Sequence, residues 1–464
     1  MLGFVLVAVG ILHIAAIKPG HGWHDDFASY IAHAQNIAEG QPYADTGYVY
    51  NAERWVAGPS SYPPLYPLML APVVRVAGVN LWAMKLQLVV ILTAWLGLLA
   101  LLLRRHASAQ ASIAAVTVVG LTPFTFELTN NILSDLPFAM MFTAAILAMD
   151  RALDRRNTSL FLAVGVGTLL YLAYATRAIG AVLVPAMWLF VLIRRRSGRA
   201  TASIATGTFG VLAAGQMLLL DAGSDYATHL AHVSPKLTLV NLWRYLNSLE
   251  GLTANPWFPG LGRALFAVFL VLAAYGFVRR LRAPSIVEIA VPIYIATIAI
   301  WPSFQDLRFL VPVVPFLVLY AIDAGETIAR RAFPRAILVA GIALIGVSYA
   351  GVARAALMAP AIEGPTSPDP QATFAFAASH SDPDDLFVFQ RPKAFVLYTG
   401  RSAVAHAGYQ DDEQMRAFIE RTGADFLVDA DLDVGYLAGY AARHPDEVTL
   451  VFTAGEHHVW RVER

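Results

Sequence analysis

The sequence predicts an all-α polytopic membrane protein of about eleven transmembrane helices, followed by a small extracytoplasmic α/β domain at the C-terminus. Hydrophobic residues make up 57% of the 464-residue chain and charged residues only 14%, which is too apolar for a soluble domain of this length. The apolar residues occur in runs long enough to cross a bilayer, and arginines collect in alternate loops between the runs. The formal net charge is zero, so no bulk electrostatic argument points to nucleic acid as a partner.

Apolar runs mark the predicted spans. The first run, 2–17, has no basic residues before it and no small-residue cleavage site after it, which favours a membrane helix over a signal peptide. The other predicted spans lie near 81–103, 110–126, 135–149, 159–175, 178–193, 202–220, 264–278, 286–301, 309–322 and 336–352.

The arginines set the predicted orientation. They cluster at 104–105, 151–156, 194–199, 279–282 and 330–335, in every second loop between the spans. The positive-inside rule makes these loops cytoplasmic. We therefore expect a cytoplasmic N-terminus, whereas the 18–80 loop, the 221–262 loop and the residues after about 353 lie outside.

Composition divides the chain into three predicted parts. Residues 1–355 form the transmembrane domain, and its first outer loop, 18–80, carries interfacial helices. A linker at 356–370 is rich in Pro, Gly and Ser. Residues 371–464 form the α/β domain, with strands expected at 386–390, 424–430, 447–453 and 457–461 and helices at 413–422 and 432–442.

Two adjacent carboxylates, Asp25 and Asp26, follow the first span where it would leave the membrane. In a helix from Asp25 they share one face with Ser29, His33 and Asn36, and apolar residues occupy the opposite face, as in an interfacial helix. An Asp at this position is also a favoured helix cap. One Asp is enough for a cap, so at least one of the two is a candidate catalytic residue.

The turn between the third and fourth spans adds Glu127 and Asp135 at the outer membrane level. Asp135 lies two residues before Pro137, which also fits a helix start. Alternatively, Asp135 faces Asp25 or Asp26 across a cavity. Carboxylates that converge there could orient an acceptor hydroxyl, accept its proton or hold a divalent cation.

Arg177 and Arg308 lie on the outer side, against the charge bias of the loops. A lipid-linked phosphate would suit them, because the guanidinium fork matches phosphate geometry. For Arg308, a salt bridge to Asp306 or another outer carboxylate is the alternative. Lys85, near the outer start of the second span, is a weaker phosphate candidate, since snorkelling alone explains a terminal lysine.

Several common chemistries are excluded. The chain has no cysteine, so disulfides, thiolate metal sites and cysteine nucleophiles are ruled out. It has neither a Walker A loop nor a His-Glu-x-x-His zinc motif. ATP is therefore not indicated as the energy source, and an activated lipid on the outer leaflet is the natural substitute.

The first outer loop contains Asp25-Asp26, the spaced residues from Tyr30 to Gly40, and Tyr62-Pro-Pro-Leu-Tyr-Pro. In these features it resembles the first outer loop of the GT-C fold glycosyltransferases, in particular the protein O-mannosyltransferase group and the lipid A aminoarabinose transferases. The segment from Arg308 to Pro315 is similar to an Arg-Tyr-x-x-Pro segment late in those enzymes. The resemblance covers residues 1 to about 350.

The resemblance implies a polyprenyl-phosphate sugar donor, a catalytic acidic residue in the first outer loop and an assisting acidic residue between the third and fourth spans. These correspond to Asp25 or Asp26 and to Asp135. Many members have Asp-Glu where this chain has Asp-Asp, so the resemblance leaves open which of the two acts as the base.

The sequence is therefore interpreted as an inverting glycosyltransferase of the plasma or inner membrane that transfers a sugar to an extracytoplasmic hydroxyl of a protein, lipid or polysaccharide. Asp26, or else Asp25, would deprotonate the acceptor, and the outer α/β domain would cap the cavity or bind the acceptor. The expected site residues are Asp25, Asp26 and Asp135 for catalysis, Arg308, Arg177 and Lys85 for the donor phosphate, and His33, Tyr62 and Glu127 for substrate contact.

No cofactor is assigned with certainty, and a divalent cation, if one is used, would be held by Asp26 and Asp135. The main rival function is a transporter or flippase of lipid-linked saccharides. Such a protein would need charges within its spans and broken helices near the midplane, whereas the notable charges here lie at membrane ends. A third interpretation is a non-catalytic sugar-binding subunit in which the carboxylates are helix caps.

Overall fold

The structure, a computed structural model, describes residues 1–153, 159–194, 198–220, 231–254, 259–332, 335–408, 411–430 and 436–463, of which 329–332 and 335–345 are described by their backbone alone. Some predicted features lie outside the described residues. They are parts of the arginine-rich loops at 154–158, 195–197 and 333–334, parts of the second outer loop at 221–230 and 255–258, and the first residues of the helix predicted at 432–442.

Helices make up most of the described chain. In chain order they are α1 (Leu2–Ala15), α2 (Asp26–Glu39), α3 (Leu65–Ala77), α4 (Leu81–Leu103), α5 (Ala109–Leu121), α6 (Pro123–Asn130), α7 (Asp135–Leu153), α8 (Leu160–Thr176), α9 (Leu183–Ile193), α10 (Arg199–Leu220), α11 (Pro235–Ser248), α12 (Pro259–Arg280), α13 (Ile286–Ile300), α14 (Leu307–Leu310), α15 (Val314–Ala332), α16 (Arg335–Met358), α17 (Pro368–Ser379), α18 (Pro392–Thr399), α19 (Asp412–Thr422) and α20 (Tyr436–Arg443). Short 3₁₀ segments occupy Ala52–Ala57, Ala178–Val182 and Leu249–Leu252.

Each predicted apolar run coincides with helical structure, but only some of these helices are long enough to be counted as membrane spans. Of the described helices, α4, α7, α10 and α12 are both long and apolar enough to cross a membrane. Helices α5 and α6 together pass the same test, with a bend of 56° between them. The bend falls at Pro123, which has no N–H to continue the hydrogen bonds of α5. The count of eleven spans stays a prediction.

The chain divides into two compact units. Unit 1 comprises residues 1–18, 82–216 and 232–360, and it contains most of the apolar helices. Within it α7 packs along α8, and α12 packs along α15. The second pair approaches so closely that a Cβ at Gly276 would lie 2.1 Å from the carbonyl oxygen of Tyr320, so only glycine fits there.

Unit 2 comprises residues 19–81, 217–231 and 361–464. Its centre is a six-stranded sheet of β1 (Tyr48–Val49), β2 (Leu386–Val388), β3 (Ser402–Val404), β4 (Phe426–Asp429), β5 (Val448–Ala454) and β6 (His457–Val462). The strand order is β1-β3-β2-β4-β6-β5; β1, β3, β2 and β4 are parallel, and β6 pairs antiparallel with β4 and β5. The edge strand β1 comes from the first predicted outer loop, where Tyr48 is in register with Ala403.

Alternation along the strands gives the sheet two apolar faces. On one face Val388, Val404 and Leu427 pack with residues of α19 and α20. On the other face Phe387, Ala403 and Phe426 pack with residues of α17 and α18. Because both faces are covered, the central strand β4 is buried along its whole length, as expected for a parallel strand between two helical layers.

The predicted α/β domain is present, with four of its strands and the helix at 413–422 close to their expected positions. The sequence analysis missed β1 and β3, which are only two and three residues long. It also missed α17 and α18. Both begin with proline at the first helical turn, a favoured position, and for α17 this proline was interpreted as part of a linker. The boundaries 1–355, 356–370 and 371–464 stay a prediction, whereas the contacts group 19–81 with 361–464.

Candidate active site

The first group of predicted site residues meets in unit 1. Asp135 begins α7, Arg177 follows α8 directly, and Arg308 lies in α14, so three helix ends present these side chains. The Asp135 side chain is 1% exposed. Its Oδ1 accepts a hydrogen bond from Arg177 Nη1 at 2.8 Å, and its Oδ2 accepts from Arg308 Nη2 at 3.2 Å and Nε at 3.3 Å. We call these three residues the aspartate–arginine cluster.

Neighbouring groups hold both guanidinium groups in place. Arg177 lies over the ring of Phe309, 4.7 Å from its centre, and Arg308 Nη1 donates to Gln305 Oε1 at 3.1 Å. The turn before α14 is strained, because Asp306 has a φ of 52°, which is uncommon for a residue other than glycine. Both arginines that the sequence analysis placed on the outer side are thus bonded to a carboxylate, Asp135. This is the salt bridge that the sequence analysis left open for Arg308.

The two other predicted residues of unit 1 have different surroundings. Lys85, at the start of α4, is fully buried, and its Nζ donates to the backbone oxygen of Lys18 at 2.8 Å. This bond ties α4 to the segment that follows α1. Glu127, in α6, is exposed and interacts electrostatically with Asp306, Arg308 and Asp135. Their predicted contacts with phosphate and substrate stay predictions.

The second group lies in unit 2, where the adjacent Asp25 and Asp26 have different partners. Asp25 immediately precedes α2 but makes no side-chain cap of that helix. Its carboxylate instead accepts hydrogen bonds from the backbone N–H groups of Ala394 at 3.0 Å and Lys393 at 3.4 Å, at the first turn of α18. It is 8% exposed, and burial raises its pKa to about 6 although Lys393 and these N–H groups oppose the rise.

Asp26 is half-buried and belongs to a chain of side chains. Its Oδ1 accepts a hydrogen bond from the hydroxyl of Tyr62 at 2.6 Å, and the same hydroxyl accepts one from Lys393 Nζ at 3.1 Å. The Lys393 ammonium lies over the rings of Tyr48 and Tyr62, 4.9 and 4.6 Å from their centres. We call Asp26, Tyr62 and Lys393 the carboxylate–phenol–ammonium chain.

Gly58 packs directly against this chain. Its φ is 90°, which favours glycine, and a Cβ there would lie 2.5 Å from the Tyr62 hydroxyl and 2.7 Å from Lys393 Nζ. The hydroxyl of Tyr48 donates to the backbone oxygen of Gly58 at 3.2 Å. The backbone at Gly58 therefore forms one wall around the buried ammonium.

His33 is fully buried and bonds to backbone through both ring nitrogens. Nδ1 donates to the oxygen of Tyr43 at 2.8 Å, Nε2 accepts from the N–H of Tyr62 at 3.4 Å, and the ring stacks on Tyr43. Burial lowers its pKa to about 4, in agreement with a neutral ring that uses one nitrogen as donor and the other as acceptor. This placement gives His33 a role in shaping the loop and lends no support to the predicted substrate contact.

Sequence reasoning missed Lys393, Tyr48 and Gly58. The one available signal for Lys393 was composition, because lysine occurs only at positions 18, 85, 236 and 393 in a chain rich in arginine. Among the residues that the structure describes, no three His, Asp or Glu side chains converge on a possible metal position. The divalent cation, and the expected approach of Asp135 to Asp25 or Asp26, stay predictions.

Comparison with known proteins agrees with the predicted resemblance. Residues 61–217, roughly a third of the chain, match the family model described as dolichyl-phosphate-mannose-protein mannosyltransferase. No curated protein sequence matches the chain.

Solved structures match over nearly the whole chain. ArnT from Cupriavidus metallidurans bound to undecaprenyl phosphate is similar with a TM-score of 0.64 and 13% identity over 99% of this chain and 97% of that one. The oligosaccharyltransferase AglB from Archaeoglobus fulgidus, in complex with an inhibitory peptide and a dolichol-phosphate, gives 0.63 and 13% over 92% and 69%. The mycobacterial arabinofuranosyltransferase AftD gives 0.52 and 14%, and the chain spans 40% of its length. The GT-C fold that the first outer loop predicts is thereby confirmed.

Proposed function

We propose that the chain is a membrane glycosyltransferase that transfers a sugar from a polyprenyl-phosphate donor to an extracytoplasmic acceptor hydroxyl. The agreement of two comparisons carries the proposal. The family model is that of a mannosyltransferase using a lipid phosphate, and the fold matches ArnT with undecaprenyl phosphate over almost the full length of both chains.

The aspartate–arginine cluster is the proposed site for the donor phosphate. Two guanidinium groups share one carboxylate, so the three side chains together carry a net positive charge that suits a phosphate. Asp135 fixes both guanidinium groups before a ligand arrives, which lowers the ordering cost of binding. When the sugar leaves, the arginines would stabilise the charge that develops on the departing phosphate.

Asp26 is the proposed general base, in preference to Asp25. The carboxylate of Asp25 is buried and bonded to the first turn of α18, whereas Asp26 is half-buried and accepts a hydrogen bond from the phenol of Tyr62. In the proposed step Asp26 takes the proton of the acceptor hydroxyl, and the acceptor oxygen forms a bond to the anomeric carbon. The bond between that carbon and the phosphate oxygen breaks, its electron pair goes to the polyprenyl phosphate, and in-line attack inverts the anomeric configuration.

The location belongs to the same proposal. A multi-pass plasma or inner membrane protein of about eleven spans would have its N-terminus in the cytoplasm and its α/β domain outside. The acceptor would be a protein, lipid or polysaccharide on that side. The transfer assay also tests for a divalent cation. Loss of transfer on addition of a chelator, and its recovery on addition of Mg²⁺, would show that one is required.

The test is transfer by the purified protein in lipid nanodiscs supplied with radiolabelled polyprenyl-phosphate sugars and a membrane extract of the host. Asp26→Asn and Asp25→Asn form a matched pair, because the same substitution is made at neighbouring residues. We expect wild type to move label into a product, Asp26→Asn to lose roughly 10²–10⁴-fold in rate, and Asp25→Asn to retain transfer. Label bound or moved between leaflets without a product would refute the transferase and favour a binding protein or a flippase.

A further inference from the structure

We infer that Lys393, a residue of the α/β domain, is a positioning residue for Asp26 and acts on it through the hydroxyl of Tyr62. The inference rests on the proposed function, since it assigns a partner to the proposed base. It gives the α/β domain a part in catalysis in addition to the expected roles of covering the cavity or binding the acceptor.

The environment of Lys393 shows what holds its charge. The residue is 2% exposed, and a buried ammonium is costly unless polar or aromatic groups receive it. Here the phenol oxygen of Tyr62 lies 3.1 Å from Nζ, and two tyrosine rings flank it. Lys393 also lies close enough to Asp25 to lower the pKa that burial raises there. The Lys393 ammonium is thus held by a phenol oxygen and two aromatic rings.

Hydrogen-bond chemistry fixes the direction of the carboxylate–phenol–ammonium chain. An ammonium donates and cannot accept, so the Tyr62 oxygen must accept from Lys393. The single hydroxyl hydrogen of Tyr62 is then directed to Asp26 Oδ1, at 2.6 Å. A phenol that accepts from a cation becomes a stronger donor, and short O–H···O⁻ bonds are typical of an ionised acceptor. Lys393 therefore favours the ionised form of Asp26 that can take a proton.

The backbone of Lys393 serves the neighbouring carboxylate. Its N–H and that of Ala394 bond to Asp25, whereas its side chain reaches Asp26 through Tyr62. The two adjacent aspartates are thus tied to one turn of α18 in different ways. Asp25 holds the turn in position, and the turn holds the phenol that orients Asp26. The two adjacent carboxylates therefore have different roles in this proposal.

In this proposal Lys393 does not contact the acceptor, and no proton passes along the carboxylate–phenol–ammonium chain. When Asp26 accepts the proton of the acceptor, Tyr62 keeps its own hydrogen and Lys393 keeps its charge. The expected signature of such a residue is a change in the pH dependence of transfer, because the lysine acts on the protonation of the base and leaves donor binding unchanged.

The experiment compares Lys393→Met with Arg401→Met in the transfer assay over pH 5 to 9. Arg401 is a matched control because it is a partly buried cation of the same domain that does not belong to the carboxylate–phenol–ammonium chain. It donates hydrogen bonds to Ser381 Oγ at 3.0 Å and to the backbone oxygen of Ala378 at 2.8 Å. For Lys393→Met we expect kcat/KM to fall about tenfold or more at neutral pH and the acid limb of its profile to move to higher pH, with the donor KM unchanged. Arg401→Met should lower thermal stability and leave the acid limb in place.

A second variant keeps the test informative if Lys393→Met does not fold. Tyr62→Phe removes the hydroxyl that links the lysine to Asp26 and keeps the aromatic ring, so it should move the acid limb in the same direction. If both single variants fold, the double variant should lose no more than the larger single loss, because the residues act as one unit.

The outcomes separate this inference from the proposed function. A wild type that transfers no sugar overturns both. A wild type that transfers sugar and loses the activity in Asp26→Asn, while Lys393→Met and Tyr62→Phe leave the acid limb in place, overturns the role of Lys393 alone. Additive losses in the double variant would also overturn it, since they would mean that the lysine does not act through Tyr62.

Discussion

Replacing Asp25 by asparagine is expected to stabilise the protein at neutral pH, although it removes a buried charge that has two hydrogen-bond partners. Burial raises the pKa of the Asp25 carboxyl from 3.8 to about 6 even with Lys393 nearby. The folded protein therefore holds a proton at Asp25 more tightly than the unfolded chain does. Asparagine resembles the protonated form and cannot ionise, so it avoids the cost of the buried charge.

The sign and size follow from proton linkage. A raised pKa in the folded state means that the stability contributed by Asp25 is fully present below about pH 4 and is lost as the pH rises through about 6. The rise from 3.8 to about 6 corresponds to about 3 kcal/mol. Asparagine loses the weaker bond, to the N–H of Lys393 at 3.4 Å, which is worth about 1 kcal/mol. The net gain at pH 8 is then about 2 kcal/mol, or about 4–8 °C in the unfolding temperature of a domain of 150–250 residues.

The assay is thermal unfolding of the purified protein in one detergent at pH 4, 5, 6, 7 and 8. Wild type should lose stability between pH 4 and pH 7 and Asp25→Asn should lose less. The variant should be the more stable protein at pH 8, and the order should reverse toward pH 4, where only the lost hydrogen bond to the N–H of Lys393 counts. Asp26→Asn is the matched control, because it makes the same substitution at a neighbouring carboxylate that is only half-buried and accepts a hydrogen bond from the Tyr62 side chain. The cost of burying a charge, which the test measures, is therefore smaller there. Hydrogen exchange at the amides of α18 would locate the effect.

Two results would refute this reasoning. One is an Asp25→Asn protein that unfolds at or below the wild-type temperature at pH 8. The other is a difference between the two proteins that stays the same from pH 4 to pH 8, because an effect without pH dependence cannot come from ionisation of Asp25.

Two further pairs of substitutions test the local geometry, one pair within each unit. Gly58→Ala should reduce transfer, because the added Cβ would lie 2.5 Å from the Tyr62 hydroxyl. Gly78→Ala is the control, because Gly78 also has a positive φ, of 62°, but lies in open space, and this variant should keep the wild-type rate. Equal transfer rates in the two variants would contradict the packing at Gly58. Asp135→Ala should destabilise the protein by up to about 3–5 kcal/mol, because it leaves two partly buried guanidinium groups without their carboxylate. Arg308→Met should cost less, since Asp135 keeps Arg177, and thermal unfolding that ranks the two variants in the opposite order would count against the cluster.

The helical part of the fold was predictable because each apolar run of sufficient length must satisfy its backbone within itself. The bounds agree closely, as at 81–103 and 178–193. The short strands were not predictable for the opposite reason. β1 has two residues and β3 has three, so neither shows an alternating pattern, and their pairing partners lie far apart in the sequence.

The candidate site was predictable in its residue types but not in its partners. Asp25 and Asp26 stand out because they are adjacent and polar at the end of an apolar run, yet their neighbours in sequence do not distinguish them. The difference comes from the first turn of α18, about 370 residues away, which binds one carboxylate directly. Likewise Arg177 and Arg308 were recognised as unusual cations, but the carboxylate that pairs with both was assigned a separate catalytic role.

Lys393 shows how composition carries a signal that motifs do not. Two of the four lysines in this arginine-rich chain, Lys85 and Lys393, are buried almost completely. At Lys393 two tyrosine rings and the backbone of Gly58 leave room for a compact ammonium. A planar guanidinium is larger and needs a forked set of acceptors, so arginine is not an equivalent residue there. A lysine therefore suits the small volume of this cation site, which lies beside the proposed base.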